Sequence, residues 1–419
     1  MKNLLSTALF LLLSATTLSA QNTITLEQAR QAALANSPST TDKQLYLDAG
    51  TLRAKSVDNA WLPQVKAVAQ GTYQSEVTEF DLSALGFPAI TISKDQYHAG
   101  FEVQQTIYEF GATHAQREIA LANAQAQAAQ ADVALLNVKR QVDKLYAGIL
   151  QQQAGLKVLH SRANDIDARL HQVSSAVRNG VSLKSNEEVL KAEALATEQQ
   201  IVTTATSLAQ TVSALSILSA LPMDTSMTFA LPEAPAPTAT GTRPELTAFS
   251  LQKSSADLQA KLLKKGNLPR LGAFGNGYYG RPGFNFLNND FRLYGMVGAG
   301  LSWNIAGYYT QGKQLKENMI QQQLIDGRKR QFELQQEADL DNEDKEIAKL
   351  DRIAELDAGI VESKTFVREA AASQLENGVI TAQDYVTYQN AQDQAKLNLE
   401  LHRIQAVMAR IDHQLTQGN

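Results

Sequence analysis

The residues that could do chemistry are few and poorly grouped. Gly275-Asn276-Gly277-Tyr278-Tyr279-Gly280 has the glycine spacing that cradles a pyrophosphate, but such a cradle needs a helix N-terminus directly after it. Arg281-Pro282-Gly283 follows instead, and the surrounding stretch alternates like a strand, so small residues in a crowded sheet explain the glycines better. The six histidines, His98, His114, His160, His171, His402 and His413, show no two-histidine spacing that would aim a metal pair from one helical face. Neither a Gly-x-Ser-x-Gly elbow nor a phosphate-binding loop occurs. Zero cysteines exclude disulfides, thiolate metal sites and a lipidated N-terminal cysteine. The expectation is a non-enzyme with no cofactor and no metal. A formal net charge of −5 also lacks the basic footprint of a nucleic-acid binder.

What remains is architecture. The 419 residues are 44% hydrophobic but only 6% aromatic, which favours long helices with narrow seams over a thick core. Residues 1–20 read as a cleavable secretory leader: Lys2, an apolar stretch from Leu4 to Leu13, then small residues ending at Ser19-Ala20. That run is shorter than the roughly 20 residues a membrane span needs, and no downstream run is expected to reach that length either.

The chain is written twice. Leu62-Pro63-Gln64-Val65 returns 206 residues later as Leu268-Pro269-Arg270-Leu271, and Asn179-Gly180-Val181 returns 198 residues later as Asn377-Gly378-Val379. The difference fits a longer loop in the first copy, Thr78 to Asp95 against Arg281 to Asp290. The first repeat spans 21–231, with a β-hairpin at about 64–108 and a long helical hairpin at about 112–221. A proline- and threonine-rich linker, 232–244, separates it from the second repeat, 245–419, with a β-hairpin at about 270–305 and a helical hairpin at about 313–415. Thr25 and Gln28 have capping-box spacing for a helix that stops before Pro38, and a second helix is expected from about Thr40 to Trp61. The proline-free runs Ala112 to Val177 and Lys313 to Leu375 would each extend about 95 to 100 Å as helix. In the first, Leu135, Val142, Ile149, Leu156 and Ala163 recur every seven residues, a coiled-coil seam.

The strands alternate in an informative way. Leu293, Gly295, Val297, Ala299, Leu301 and Trp303 share one parity, while Arg292, Tyr294, Met296, Gly298, Gly300 and Ser302 share the other. Alternation alone favours a soluble amphipathic sheet over an outer-membrane barrel. The number of long strands bears on the choice. Four strands cannot close a barrel, so a membrane location would require several chains to share one. Tyr278, Tyr279, Tyr294 and Trp303 are candidates for an interfacial aromatic girdle.

These features together resemble the TolC family of outer membrane efflux proteins. The resemblance rests on Thr25-Leu26-Glu27-Gln28-Ala29 with Ser37-Pro38, Leu-Pro before each strand pair, glycine-containing corners at Gly111 and Gly312, and the two Asn-Gly-Val hairpin tips. It implies a mainly α protein with a transmembrane β part, four strands and long helical hairpins per chain. As a homotrimer it would form a 12-stranded β-barrel in outer-membrane lipid and a 12-helix periplasmic barrel. The implied function is the exit duct of a tripartite efflux or type I secretion system, fed by a periplasmic adaptor and an inner-membrane transporter. Thr106 and Asn304 stand where the family commonly has proline. The family pattern also places an acidic residue after the second tip, and Asp384 matches it as a periplasmic gate residue, with Thr387 at the next acidic position. Asp384 equally suits the first turn of the returning helix, so gate and cap both remain open. Asn179, Gly180, Val181, Leu183, Asn377, Gly378, Val379 and Ile380 are the expected adaptor-docking tips, the four aliphatic residues exposed. The alternative is a periplasmic coiled-coil adaptor or scaffold, which would show one hairpin rather than two.

Overall fold

The computed structural model describes residues 23–80, 86, 90–235 and 241–418. The expected leader, 1–20, and linker residues 236–240 lie outside the described residues. The first repeat runs β1 (Thr23–Ile24), α1 (Leu26–Asn36), α2 (Pro38–Asp58), β2 (Gln64–Tyr73), β3 (Glu79–Phe80), β4 (Ile90–Thr91), β5 (Asp95–Tyr108), α3 (Ala112–Arg178), α4 (Lys184–Ser219) and β6 (Thr228–Phe229). The second runs α5 (Pro244–Gly266), β7 (Arg270–Arg281), β8 (Arg292–Ser302), α6 (Tyr308–Glu376) and α7 (Ala382–Gln417). The order of long elements is thus the same in both repeats. The two short pairs, β1 with β6 and β3 with β4, were not anticipated from sequence.

The chain divides into two compact units. One comprises residues up to Thr41, Ala131–Pro244 and Phe332–Asn419; the other comprises Asp42–Gln130 and Glu245–Gln331. In the first, Thr25 starts α1 by the expected capping box: its hydroxyl accepts from the Gln28 amide, and the Gln28 side chain accepts from the Thr25 amide. The apolar face of α1, Ala29 and Ala33, then packs into a core with Val142, Tyr146 and Ile149 of α3 and Leu208, Val212 and Leu215 of α4. Two members of the heptad seam, Val142 and Ile149, are fully buried there. Arg30 holds Asp143 with two hydrogen bonds of 2.6 Å, a planar fork matched to a carboxylate. Burial still raises the Asp143 pKa, against the opposing pull of Arg30. The Tyr146 hydroxyl lies 2.7 Å from the carbonyls of both Ile24 and Ala230, so α3 fastens the parallel β1–β6 pair. Arg243 reaches the α7 carbonyls of Leu415 and Thr416, where a cation suits the negative end of the helix.

In the second unit β2, β5, β7 and β8 form one antiparallel sheet in that order. Register sets Val65 opposite Val103, Ala67 opposite Phe101 and Tyr279 opposite Leu293, so the apolar parity of all four strands shares one face. That face is uncovered: Leu293, Val297 and Leu301 are 79%, 87% and 70% exposed. The opposite face carries Lys66, His98, Glu102, Tyr278 and Tyr294, with the Tyr278 hydroxyl donating to Glu102 over 2.7 Å. Tyr278 and Tyr294 therefore leave the expected girdle, because alternation sends them to the side away from Tyr279 and Leu293. The glycine string lies wholly within β7.

The corners differ between repeats. Phe110 and Gly111 take successive positive φ values of 56° and 79°, and the Glu109 carboxylate caps the Thr113 amide of α3. Its counterpart is a 3₁₀ turn, Ile305–Gly307, and Gly312 lies inside α6 rather than at a corner. Where proline is absent at Thr106, the β5–β7 register slips between Thr106 and Tyr108, a bulge ending the ladder. Among the described residues, α4 is long and apolar enough to cross a membrane, because its Ser, Thr and Gln residues interrupt the apolar run without making its average polar.

Two glycines give a contrasting test. A Cβ at Gly50 of α2 would stand 2.2 Å from the Ala124 Cβ, whereas one at Gly148 of α3 would meet only the Thr211 methyl at 3.6 Å. Gly50→Val should cost about 1–3 kcal/mol. Gly148→Ala should gain up to about 1 kcal/mol from helix propensity. Thermal unfolding of the purified protein should therefore shift in opposite directions for the two variants.

Candidate functional site at the helical tips

Both long helices end by the same mechanism. In α3, Gly180 has φ 75°, its amide donates to the Val177 carbonyl at 3.0 Å, and the Val181 amide donates to Ala176 at 2.9 Å. In α6, Gly378 has φ 70°, with matching bonds to Leu375 at 3.1 Å and from Val379 to Gln374 at 2.8 Å. This is the paired termination that a left-handed residue makes after a helix, and only glycine adopts it without steric cost. The expected tips are hence two copies of one turn.

A cleft of about 810 Å³ lies at these turns within the first unit, lined by all the expected docking residues except Gly180. Val181, Leu183 and Val379 are exposed. Ile380 is not: it packs against a core of Val173, Leu190, Leu375, Tyr385 and Val386, so only three of the four aliphatic tips face solvent. The Asn186 side chain of α4 accepts from the Ala382 amide at the start of α7 and joins the two turns at 3.1 Å.

Asp384 sits outside this cleft's lining and closes a capping box. Its carboxylate accepts from the Thr381 amide at 3.0 Å and the Thr381 hydroxyl at 2.6 Å, while its own amide donates to Thr381 Oγ1 at 3.2 Å. The Thr381 hydroxyl and amide hold its pKa below the usual carboxylate range. The neighbour was missed by sequence reasoning. Tyr385 is fully buried and donates its hydroxyl to Asp165 on α3, with the Arg169 guanidinium 5.6 Å from the ring centre. Burial foremost, and then the Asp165 charge, pushes the Tyr385 phenol up to about 12, so it stays a neutral donor. About two turns further along α7, Arg368 of α6 donates to Gln392 at 3.1 Å, and Gln392 donates to Thr365 at 2.9 Å. The arrangement is a set of side-chain ties between helices. Among the described residues it includes no nucleophile with an adjacent base.

Residues 29–220 match the family model described as "Outer membrane efflux protein". That stretch is a little under half of the chain, and it is similar to outer membrane efflux proteins. No curated protein matches the chain. Its fold is similar to solved outer-membrane channels at low identity. VceC from Vibrio cholerae shares 16% identity with a TM-score of 0.71, the match covering 93% of this chain and 95% of VceC. OprN shares 14% with a TM-score of 0.74, covering 94% and 90%. The open state of MtrE from Neisseria gonorrhoeae shares 17% with a TM-score of 0.69, covering 94% and 89%.

Two measurements probe the tips. Tyr385→Phe leaves a half-buried carboxylate without its donor and should cost about 1–3 kcal/mol of local stability. Amide exchange across residues 382–392 should quicken, and unchanged protection would show that the bond contributes nothing. Asp384, whose pKa is depressed, stabilises its cap above the ordinary carboxylate range and loses that contribution as pH falls through its folded pKa. Acidification should therefore fray residues 381–385 first, and Asp384→Asn should remove that pH dependence.

Proposed function

We propose that three copies of this chain pool their sheets into one 12-stranded barrel and continue it as a shared helical conduit. Substrates handed over by an inner-membrane transporter and a periplasmic adaptor would leave through it. The observation that carries this reading is the sheet itself: four strands, both edge strands β2 and β8 unpaired on one side, and an apolar face open to its surroundings. In hydrocarbon, unpaired edge N–H and C=O groups are too costly, so the edges must find partners, and identical chains supply them in register. The exposed apolar side of α4, with Leu195 and Ile217 at 73% and 75% exposure, supports further subunit contact outside the barrel.

Closure belongs to the helical tips. The Tyr385 to Asp165 bond ties α7 to α3, and Asn186 ties α4 to the start of α7. Parting the helices requires breaking these ties, which an adaptor seated on the Val181, Leu183 and Val379 cleft is placed to favour. Asp384 would add charge near the opening only with its cap partly released, so Tyr385 is the stronger candidate for holding the closed state.

Cross-linking of intact outer membranes should capture trimers, whereas capture of solitary subunits alone would end this reading. In planar bilayers, Tyr385→Phe should conduct more than the native channel at equal insertion. An unchanged conductance would assign closure to other residues. Gly180→Trp together with Gly378→Trp, at unchanged protein level, should reduce co-purification with the adaptor.

A further inference from the structure

The end of α7 farthest from the tips carries a group of side chains that the tips do not use. His413 lies 3.4 Å from Glu343 and 3.7 Å from Asp344, both on α6. Asp412 of its own helix lies 3.8 Å from Arg140 of α3, which also donates to the Thr416 hydroxyl. That hydroxyl donates in turn to Glu343 Oε1 at 2.9 Å, and Gln336 of α6 donates to the Thr416 carbonyl at 2.8 Å. Arg243, just before α5, reaches the carbonyls of Leu415 and Thr416, while Arg410, one turn back on α7, is engaged by Asp351. Helices α3, α6 and α7 thus meet at one node inside the first unit.

One pair in this node is incomplete. His413 Nδ1 and Glu343 Oε2 face each other over 3.4 Å, both are sealed from solvent, and neither makes a hydrogen bond. Buried polar atoms are seldom left so, and these two already adjoin, so what completes them is a proton rather than another molecule. A neutral imidazole has a single donor, and the Nε2 of His413 lies 2.7 Å from the Gln417 amide nitrogen. The charged ring has two donors. Its Nδ1–H serves Glu343, and its Nε2–H serves either Asp344 or the Gln417 amide turned over to present its oxygen.

Charge favours the protonated ring. Glu343, Asp344 and Asp412 stand with two guanidiniums, Arg140 and Arg243, so a positive His413 balances the group. Burial foremost raises the Glu343 pKa, which makes its negative charge costly while the ring beside it is neutral.

We propose that His413 and Glu343 form an acid-strengthened clasp, in which a proton taken up by the ring closes the bond and fastens the last turns of α7 to α6. A histidine that gains carboxylate partners on folding contributes stability below its unfolded pKa and loses it as pH rises, and histidine changes charge between about pH 5 and about pH 8. Asp384, at the start of the same helix, acts in the opposite sense, because acid removes its cap. Mild acid therefore tightens one end of α7 before stronger acid frays the other. The clasp lies within one chain and does not depend on the conduit reading.

The test is amide exchange of the purified full-length protein in detergent at about pH 5.5 and about pH 8, corrected for intrinsic rates. Protection across residues 409–417, relative to residues 142–149 of α3, should be about threefold to tenfold greater at the lower pH. The native chain supplies this arm without any substitution. His413→Gln keeps a polar side chain that cannot take up the charge and should abolish the difference, as should Glu343→Gln. His402→Gln removes the other histidine contact between α6 and α7, that with Asp357, and should leave the difference in place. Equal relative protection at the two pH values, or a difference that survives in His413→Gln, would overturn the proposal.

Discussion

The rest of this structure depends on the backbone hydrogen bonds at the two edges of one small sheet. β2 and β8 each present a row of donors and acceptors that no other described strand pairs. In water such edges invite aggregation; in lipid they cannot exist unpaired. The apolar parity along Val65, Phe101, Tyr279 and Val297 points to lipid, and that location converts an open edge into a requirement for further copies. The proposed barrel, oligomer and conduit all rest on that single need, and the duplicated sequence is an economical way to encode the strands.

Much of this was legible in the residues because it depends on local signals. Thr25 with Gln28, Asn-Gly at each tip and the absence of proline from the long runs are written within a few neighbouring positions, and each became the element expected. Strand parity was equally visible, since a period of two needs no tertiary information. Contacts between distant positions were not. Nothing near Tyr385 announces Asp165, 220 positions away, nor does Asn186 announce the Ala382 amide. Asp384 shows the middle case: Thr381, three residues before it, makes a cap readable, while any role at an axis would depend on neighbouring copies.

The corners illustrate how duplicated sequence diverges where geometry tolerates it. The first repeat turns from strand to helix on two left-handed residues and a carboxylate cap; the second turns on a 3₁₀ segment. Both deliver a helix of nearly equal length, which is the quantity that must match if two hairpins are to end together. The tips, by contrast, retain the same turn bond for bond.

The parallel β1–β6 pair has a consequence for how the chain matures. It joins Thr23 to Thr228, and the core beneath it also recruits Ile404 and Ile411. Closing so large a loop is entropically slow, and most of the apolar side chains that reward it, from α1, α4 and β6, are present once residue 229 is made. Of the buried residues only Ile404 and Ile411 come later, so the core is completed in two stages, the second waiting for α7.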